Sequence, residues 1–164
     1  MKINQLFFVA LLSCSLFSTA LLAQPPRKGQ TAPDIRLQNA QGDSVALSSL
    51  RGKVVLIDFW ASWCGPCRIS NKMAKPVYEQ YKAKGFEILA ISVDQNTAAW
   101  KRAIKQDQMT WLQVHDAAEG EDAVAYKWNI RQIPTTYLID KNGKVAAVDP
   151  DWMEISKLLP KLLK

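Results

Sequence analysis

The sequence has few side chains that bind transition metals, with three cysteines and one histidine among 164 residues. Three cysteines are too few for a miniprotein held together by disulfides, and they cannot build a four-cysteine zinc site. No run of five or more basic residues occurs, so the net charge of +6 does not indicate a nucleic-acid-binding protein. What remains is typical of one globular domain, because 48% of the residues are apolar and the length suits a single domain.

Charge is also absent from residues 6–22, which follow the short basic segment Met1–Gln5. This uncharged, mostly apolar stretch is slightly short for a membrane span and is typical of an export signal. We therefore predict a signal peptide or membrane anchor over residues 1–23. A proline-containing linker over 24–33 and one folded domain over 34–164 are predicted to follow.

Three fates of this N-terminal segment stay open. Cleavage after Ala23 is one, and retention of the segment as an uncleaved anchor is another. The third is lipid attachment at Cys14, because Leu-Leu-Ser-Cys resembles a lipobox. Each of them places the domain in the periplasm or another extracytoplasmic compartment.

Strands and helices alternate along the rest of the chain. Residues 54–60 form an almost continuous apolar run rich in β-branched and aromatic side chains, which is typical of a strand buried on both faces. A helix is predicted over 66–84, with Gly85 as its C-cap. The other predicted elements are a hairpin within 35–47, strands at 86–93, 110–114, 135–139 and 144–148, and helices at 97–107 with Thr97 as N-cap, 122–128 and 152–163. This order predicts an α/β fold with a mixed sheet.

The motif Trp63-Cys64-Gly65-Pro66-Cys67 lies between a predicted buried strand and the helix that follows it. At the start of a helix, unpaired amide groups and the positive end of the helix dipole favour a thiolate over a thiol. Cys64 is therefore predicted to be the attacking nucleophile. Cys67, one turn later and deeper, is predicted to resolve the mixed disulfide that forms after attack. Pro66 suits this position, because the first helical turn does not need its missing N–H.

Two other uses of the cysteine pair are weaker. Half of a zinc site would need further ligands, but Cys14 lies in the N-terminal apolar stretch and His115 is the only histidine. A permanent structural disulfide would add little stability, because the ring it closes is small. We therefore predict no metal and no cofactor other than the redox-active disulfide Cys64–Cys67.

Residues 58–68, DFWASWCGPCR, resemble the active-site stretch of thioredoxins. Over about residues 30–164 the chain resembles the exported TlpA/ResA-type thiol-disulfide oxidoreductases of the redoxin group. The shared features are the leading hairpin with residues 47–56, residues 133–140, and an extra strand and helix around residues 96–128. The resemblance implies a thioredoxin-like α/β/α sandwich with a central mixed sheet and an N-terminal β-hairpin extension. It also implies a strand/helix insertion before a cis-proline loop.

The resemblance assigns a substrate-binding surface around the cysteine pair. It implies a cis bond before Pro134, which lets the backbone N–H and C=O of Ile133 pair with an extended substrate peptide. Trp63 would supply an apolar wall of this surface, although ordinary packing remains an alternative use of the side chain. Gly65 and Pro66 are the remaining residues that the resemblance assigns to the substrate-binding surface.

Asp58 interrupts an otherwise apolar strand, where burial of a carboxylate is costly and raises its pKa. By resemblance to thioredoxins it accepts the proton of Cys67 when that thiol becomes a nucleophile. The alternative is that Asp58 faces solvent. Two positions depart from the family patterns: Ser70 replaces a glutamate found in many TlpA/ResA-like proteins, and Ala90 replaces the lysine of cytoplasmic thioredoxins. Without that cation we expect Asp58 to stay protonated to higher pH.

The function predicted from these residues is reduction of disulfides in exported proteins, with apocytochrome c as a substrate implied by the resemblance. Electrons would come from a membrane thiol donor, and the enzyme is expected to work as a monomer without a nucleic-acid partner. A disulfide-forming oxidase remains an alternative. A thiol peroxidase is disfavoured, because Ala61 stands where such enzymes usually place threonine or serine. A binding module that keeps only the fold is the non-enzymatic alternative.

Overall fold

A computed structural model of the protein describes residues 24–164. The strands are β1 (Arg36–Asn39), β2 (Ser44–Ala46), β3 (Val54–Trp60), β4 (Phe86–Ser92), β5 (Leu112–His115), β6 (Thr135–Ile139) and β7 (Val145–Val148). The helices are α1 (Gly65–Tyr81), α2 (Thr97–Gln106), α3 (Val124–Lys127) and α4 (Trp152–Leu162), with short 3-10 turns at Leu47–Leu50, Lys82–Lys84 and Gly120–Asp122. The predicted signal peptide or anchor over 1–23, including Cys14, lies outside the described residues. No helix within 24–164 has the length and apolar character needed to span a membrane.

All seven strands form one mixed sheet in the order β2-β1-β5-β4-β3-β6-β7. The central strands β3, β4 and β5 run parallel to one another, and the remaining neighbours are antiparallel. The hairpin of β1 and β2 joins the sheet beside β5, so it extends the sheet rather than standing apart from it. This arrangement confirms the predicted thioredoxin-like fold with its N-terminal hairpin and inserted strand.

Strand β3 is the core of the sheet, and all seven of its residues are buried. Because side chains alternate along a strand, β3 supplies both hydrophobic layers. Leu56 and Trp60 pack in the layer formed with α1, α2 and α4. Ile57 and Phe59 pack in the opposite layer, which contains Trp128 and the turn at Leu47–Leu50. Burial on both faces explains why the sequence of β3 is continuously apolar except at one position.

Local capping differs from the sequence prediction at two helices. Thr97 is not the N-cap of α2, because Asn96 holds that position with an extended backbone and accepts a hydrogen bond from the amide of Ala99 at 3.0 Å. Asparagine ranks above threonine as an N-cap. Gly85 ends the helical segment at the predicted position, but it caps the 3-10 turn Lys82–Lys84 that continues α1, whereas α1 itself has Lys82 as its C-cap. The φ of Gly85, +96°, is a left-handed conformation that glycine adopts without strain.

The second half of the stretch predicted as a linker is attached to the outer edge of β7. The amide of Gly29 donates to the carbonyl of Val145 at 2.8 Å, and the amide of Val145 donates to the carbonyl of Gln30 at 2.9 Å. Ala32 donates to the carbonyl of Gly143 at 2.9 Å. Residues 29–32 therefore pair with the sheet, although their composition has no strand pattern.

We expect Trp128→Ala to destabilise the fold strongly. Trp128 is buried against Phe59 and Tyr137, with ring centroids 5.9 and 5.0 Å away. Its truncation should lower the free energy of unfolding by about 3–5 kcal/mol, measured by urea denaturation. Tyr126→Ala, at an exposed aromatic in α3 two residues before Trp128, is the matched control and should cost about 1 kcal/mol or less. Similar losses in both variants would contradict this packing.

Candidate active site

The cysteine pair lies where β3 ends and α1 begins. Cys64 and Cys67 form a disulfide, with their Cα atoms 5.3 Å apart. Cys64 is the N-cap of α1, with an extended backbone, and Cys67 lies within the first helical turn. Cys64 is 6% exposed and Cys67 is fully buried, so an approaching sulfur reaches Cys64 first.

The start of α1 directs amide groups at the sulfur of Cys64. The Sγ atom of Cys64 accepts a hydrogen bond from the backbone N–H of Cys67 at 3.2 Å. Pro66 occupies the first turn, where no intrahelical partner exists for its missing N–H. An amide and the helix dipole together stabilise negative charge on Cys64 once the disulfide is reduced.

The side chains assigned to the substrate-binding surface surround this disulfide on the outside of the molecule. Trp63 is 70% exposed, so packing in the core is not its role. Gly65 faces open space, since a Cβ built there would meet no atom within 4 Å. The Ile133–Pro134 bond is cis, as the resemblance implies. Pro134 and Pro66 line the same groove, so the structure brings the two loops together.

Asp58 is buried and does not face solvent, so the solvent-facing alternative is wrong. It is 5% exposed and lies on the same face of β3 as Leu56 and Trp60, the face covered by α1 and Cys67. On the neighbouring strand β4, Asp58 is paired with Ala90, as expected for the position where cytoplasmic thioredoxins have a lysine.

The environment of Asp58 favours the protonated acid. Burial raises the pKa of Asp58 to about 7 from its ordinary value of 3.8. Its Oδ1 atom has no hydrogen-bond partner among the described residues. A carboxyl group with a pKa near neutrality is suited to taking and releasing a proton at physiological pH.

Sequence reasoning missed a polar clamp on the loop before Cys64. Asp94 is buried just beyond β4, and its carboxylate accepts hydrogen bonds from the amide and hydroxyl of Ser62 at 2.8 and 2.6 Å. Arg68 of α1 donates to the carbonyl of Ser62 at 3.0 Å and forms a salt bridge with Asp107 at the end of α2. The signal that could have found Asp94 is its position at the carboxyl end of a parallel strand next to β3, the edge where α/β sheets bind ligands.

A second missed feature is a groove of about 500 Å³ between α1 and the start of α4. Ser70, the position of the absent glutamate, lines this groove and accepts a hydrogen bond from Trp152 Nε1 at 3.1 Å. Asp149 and Asp151 lie at its rim. Asp149, Asp151 and Trp152 are close to Ser70 in space but distant from the cysteine motif in sequence, so spacing alone did not connect them.

No group of three His, Cys, Asp or Glu side chains within residues 24–164 is placed to hold a metal ion. His115, which the sequence left without a role, stacks on Trp100 with ring centroids 4.9 Å apart. Its Nε2 atom lies 2.6 Å from the carbonyl oxygen of Asp94. His115 therefore supports the backbone of the strand ends.

Comparison with known proteins agrees with this geometry. Residues 28–148 match the AhpC/TSA family. The thiol-disulfide oxidoreductase ResA of Geobacillus kaustophilus is 37% identical over 73% of this chain and 67% of that protein, and ResA of Oceanobacillus iheyensis is 35% identical over 80% and 69%. The thioredoxin domain of a thiol-disulfide oxidoreductase from Bacteroides vulgatus superposes with a TM-score of 0.78 at 32% identity, covering 84% of this chain and 99% of that domain. A thiol-disulfide oxidoreductase from Bacteroides fragilis gives 0.73 at 34% identity, over 81% and 99%.

We expect Asp58→Asn to remove a pH-dependent loss of stability. The pKa of Asp58 in the folded protein, about 7, lies above the ordinary value of 3.8, so the folded state retains this proton longer. The free energy of unfolding should therefore fall as the pH rises from about 4 to about 7. Between about pH 5 and about pH 8, the free energy of unfolding of the wild type should fall by about 2–3 kcal/mol more than that of Asp58→Asn, measured by urea denaturation.

Asp122→Asn is the control for this pH series, because Asp122 is exposed in the 3-10 turn Gly120–Asp122. It should retain the pH dependence of the wild type. Parallel pH profiles for the wild type and Asp58→Asn would rule out a raised pKa at this carboxyl group.

Proposed function

The chain belongs to the AhpC/TSA family and is a thioredoxin-like thiol-disulfide oxidoreductase, and on that basis we propose that it reduces disulfides of proteins outside the cytoplasm. The observation that carries the proposal is the asymmetry of the cysteine pair. Cys64 is the more accessible sulfur and faces the first amides of α1, whereas Cys67 is fully buried one turn away. That arrangement separates an attacking thiolate from a resolving thiol.

The reaction begins from the reduced pair. The Cys64 thiolate attacks one sulfur of a substrate disulfide, a mixed disulfide forms, and the other substrate sulfur leaves as a thiolate that takes up a proton. Cys67 then loses its proton and attacks the Cys64 sulfur, which releases the second substrate thiolate. Two electrons pass to the substrate, and the pair is left as the Cys64–Cys67 disulfide.

Asp58 is the proposed acceptor of the Cys67 proton. It lies on the α1 side of β3 with a pKa of about 7, so a substantial fraction of it is ionised at neutral pH. A base is needed at this step because Cys67 is buried, and burial in apolar surroundings raises the pKa of a thiol. The proton passes from Cys67 to Asp58 through a bridging water.

The substrate peptide is proposed to lie across the loop at Pro134. The N–H and C=O groups of Ile133 make no hydrogen bond with the described residues, so both are available to an extended chain. The exposed indole of Trp63 provides an apolar wall on the other side of the disulfide. Gly65 has no side chain that would block an approaching sulfur, and Pro66 lines the groove next to it.

The compartment, donor and substrate are proposed from the sequence. The uncharged stretch over residues 6–22 supports export to the periplasm or another extracytoplasmic compartment, followed by cleavage, lipidation at Cys14 or retention as an anchor. A membrane thiol protein is the proposed donor, and the catalytic unit is a monomer. Apocytochrome c is a candidate substrate, because its haem-attachment motif contains two cysteines in a C-x-x-C-H sequence that must be reduced before haem attachment.

A trapping experiment tests the exchange step. Cys67→Ser should accumulate mixed disulfides through Cys64 with extracytoplasmic proteins, because no resolving thiol remains to release them. The products are measured on non-reducing gels and identified by mass spectrometry. Cys64→Ser is the matched control and should trap far less, since Cys67, the remaining cysteine of the pair, is buried. Equal trapping by both variants, or none by either, would overturn the proposal.

The reduction potential decides the direction of the reaction. A reductase should have a Cys64–Cys67 potential near that of thioredoxin, about −270 mV, measured by equilibration with glutathione or dithiothreitol buffers. A value near about −120 mV, typical of a strong oxidant, would instead establish a disulfide-forming enzyme.

A further inference from the structure

We propose that the groove beside the disulfide binds a cationic side chain of the substrate, so that the enzyme prefers cysteines near lysine or arginine within an apolar segment. This inference rests on the proposed function and specifies its substrate class. The geometry that carries it is the juxtaposition of an apolar groove wall, an acidic rim and the reactive cysteine loop.

The apolar wall belongs to the exposed face of α1. Pro66, Ile69 and Met73 are spaced three and four residues apart, so they share one face of the helix. Ile69 is 62% exposed and Met73 is 52% exposed. Because both side chains are exposed, packing of the core does not require them to be apolar. Pro66 lies between the two cysteines in the chain, so the groove begins next to the cysteine motif.

The opposite rim carries two carboxylates and no base. Within residues 24–164, Asp149 and Asp151 are the only ionisable residues that line the groove. This is unusual in a chain whose net charge is +6. The N-terminal dipole of α4 offsets part of this negative charge but does not cancel two full charges. The rim is therefore complementary to a cation.

Each carboxylate is held in place by one hydrogen bond and keeps its other oxygen available. Asp149 accepts from the amide of Thr136 at 2.7 Å, and Asp151 accepts from the amide of Glu154 at 2.7 Å as the N-cap of α4. Asp149 also has a left-handed backbone, with φ of +47°. Non-glycine residues adopt that conformation uncommonly, and it places this carboxylate at the end of β7 beside the Pro134 loop.

The groove volume of about 500 Å³ accommodates the side chains of a short peptide segment, with apolar groups against Ile69 and Met73 and a cation at the rim. An extended chain that pairs with the backbone of Ile133 would pass along this groove. Since exposed charge pairs contribute modestly, we expect the rim to bias the choice of substrate rather than to determine binding alone.

The test uses the full-length reduced protein and peptides closed by an internal disulfide, with a fluorophore and quencher that separate on reduction. The peptides are identical except at one position, scanned along the residues flanking the cysteines, which is lysine, glutamine or glutamate. At the best position kcat/KM for the lysine peptide should exceed that for the glutamate peptide by about fivefold to tenfold at low ionic strength. The ratio should decrease as salt is added.

The variant Asp149→Asn/Asp151→Asn should reduce this ratio to near one. Asparagine is as good an N-cap as aspartate and also tolerates positive φ, so the substitution removes charge while keeping both local structures. The control Asp43→Asn/Asp122→Asn also removes two acids, from exposed positions that do not line the groove, and should keep the wild-type ratio.

The possible outcomes distinguish failure of this inference from failure of the proposed function. Reduction of the glutamine peptide with equal rates for lysine and glutamate at every position overturns the inference and leaves the proposed function intact. Loss of the ratio in the control double variant as well as in the groove variant also overturns it, because the effect would then be overall charge. Failure to reduce any peptide overturns both.

Discussion

The hydrogen bond from the amide of Cys67, in the first turn of α1, to the sulfur of Cys64 is the interaction on which the rest of the site depends. It exists because β3 is held rigidly between β4 and β6 and delivers the chain to the start of α1 at a fixed place. The helix is held in turn by Ala74 and Tyr78, which pack on the sheet. The Ser62–Asp94 hydrogen bonds fix the loop between β3 and α1. They thereby keep the sulfur of Cys64 close to the amide of Cys67.

The local chemistry of the site was predictable from sequence, whereas its surroundings were not. The spacing of Cys64 and Cys67 and the apolar run of β3 are local patterns, and they placed the nucleophile at a helix start beside a buried strand. Asp94 and the Ser70–Trp152 contact could not be predicted, because they join segments far apart in sequence. The N-cap of α2 was missed for a different reason, since Asn96 and Thr97 are adjacent and both can act as caps.

Asp58 shows how the residue at a neighbouring position alters the acid–base behaviour of an aspartate expected from the thioredoxin resemblance. It occupies the strand position expected from the thioredoxin resemblance, but its neighbour on β4 is Ala90, which brings no charge. Burial then acts on the carboxyl group without compensation and brings its pKa close to neutrality. The same aspartate beside a lysine would favour its ionised form, so the pair of positions and not Asp58 alone sets the acid–base behaviour.

The pairing of residues 29–32 with β7 has a consequence for association between sheet edges. A bare outer strand is a template onto which other extended polypeptides can add and nucleate aggregates. Here both the amide and the carbonyl of Val145 are already occupied by the N-terminal segment. The opposite margin of the sheet is β2, which is only three residues long and offers little length for such growth. Both margins of the sheet are thereby poor templates for the addition of another strand.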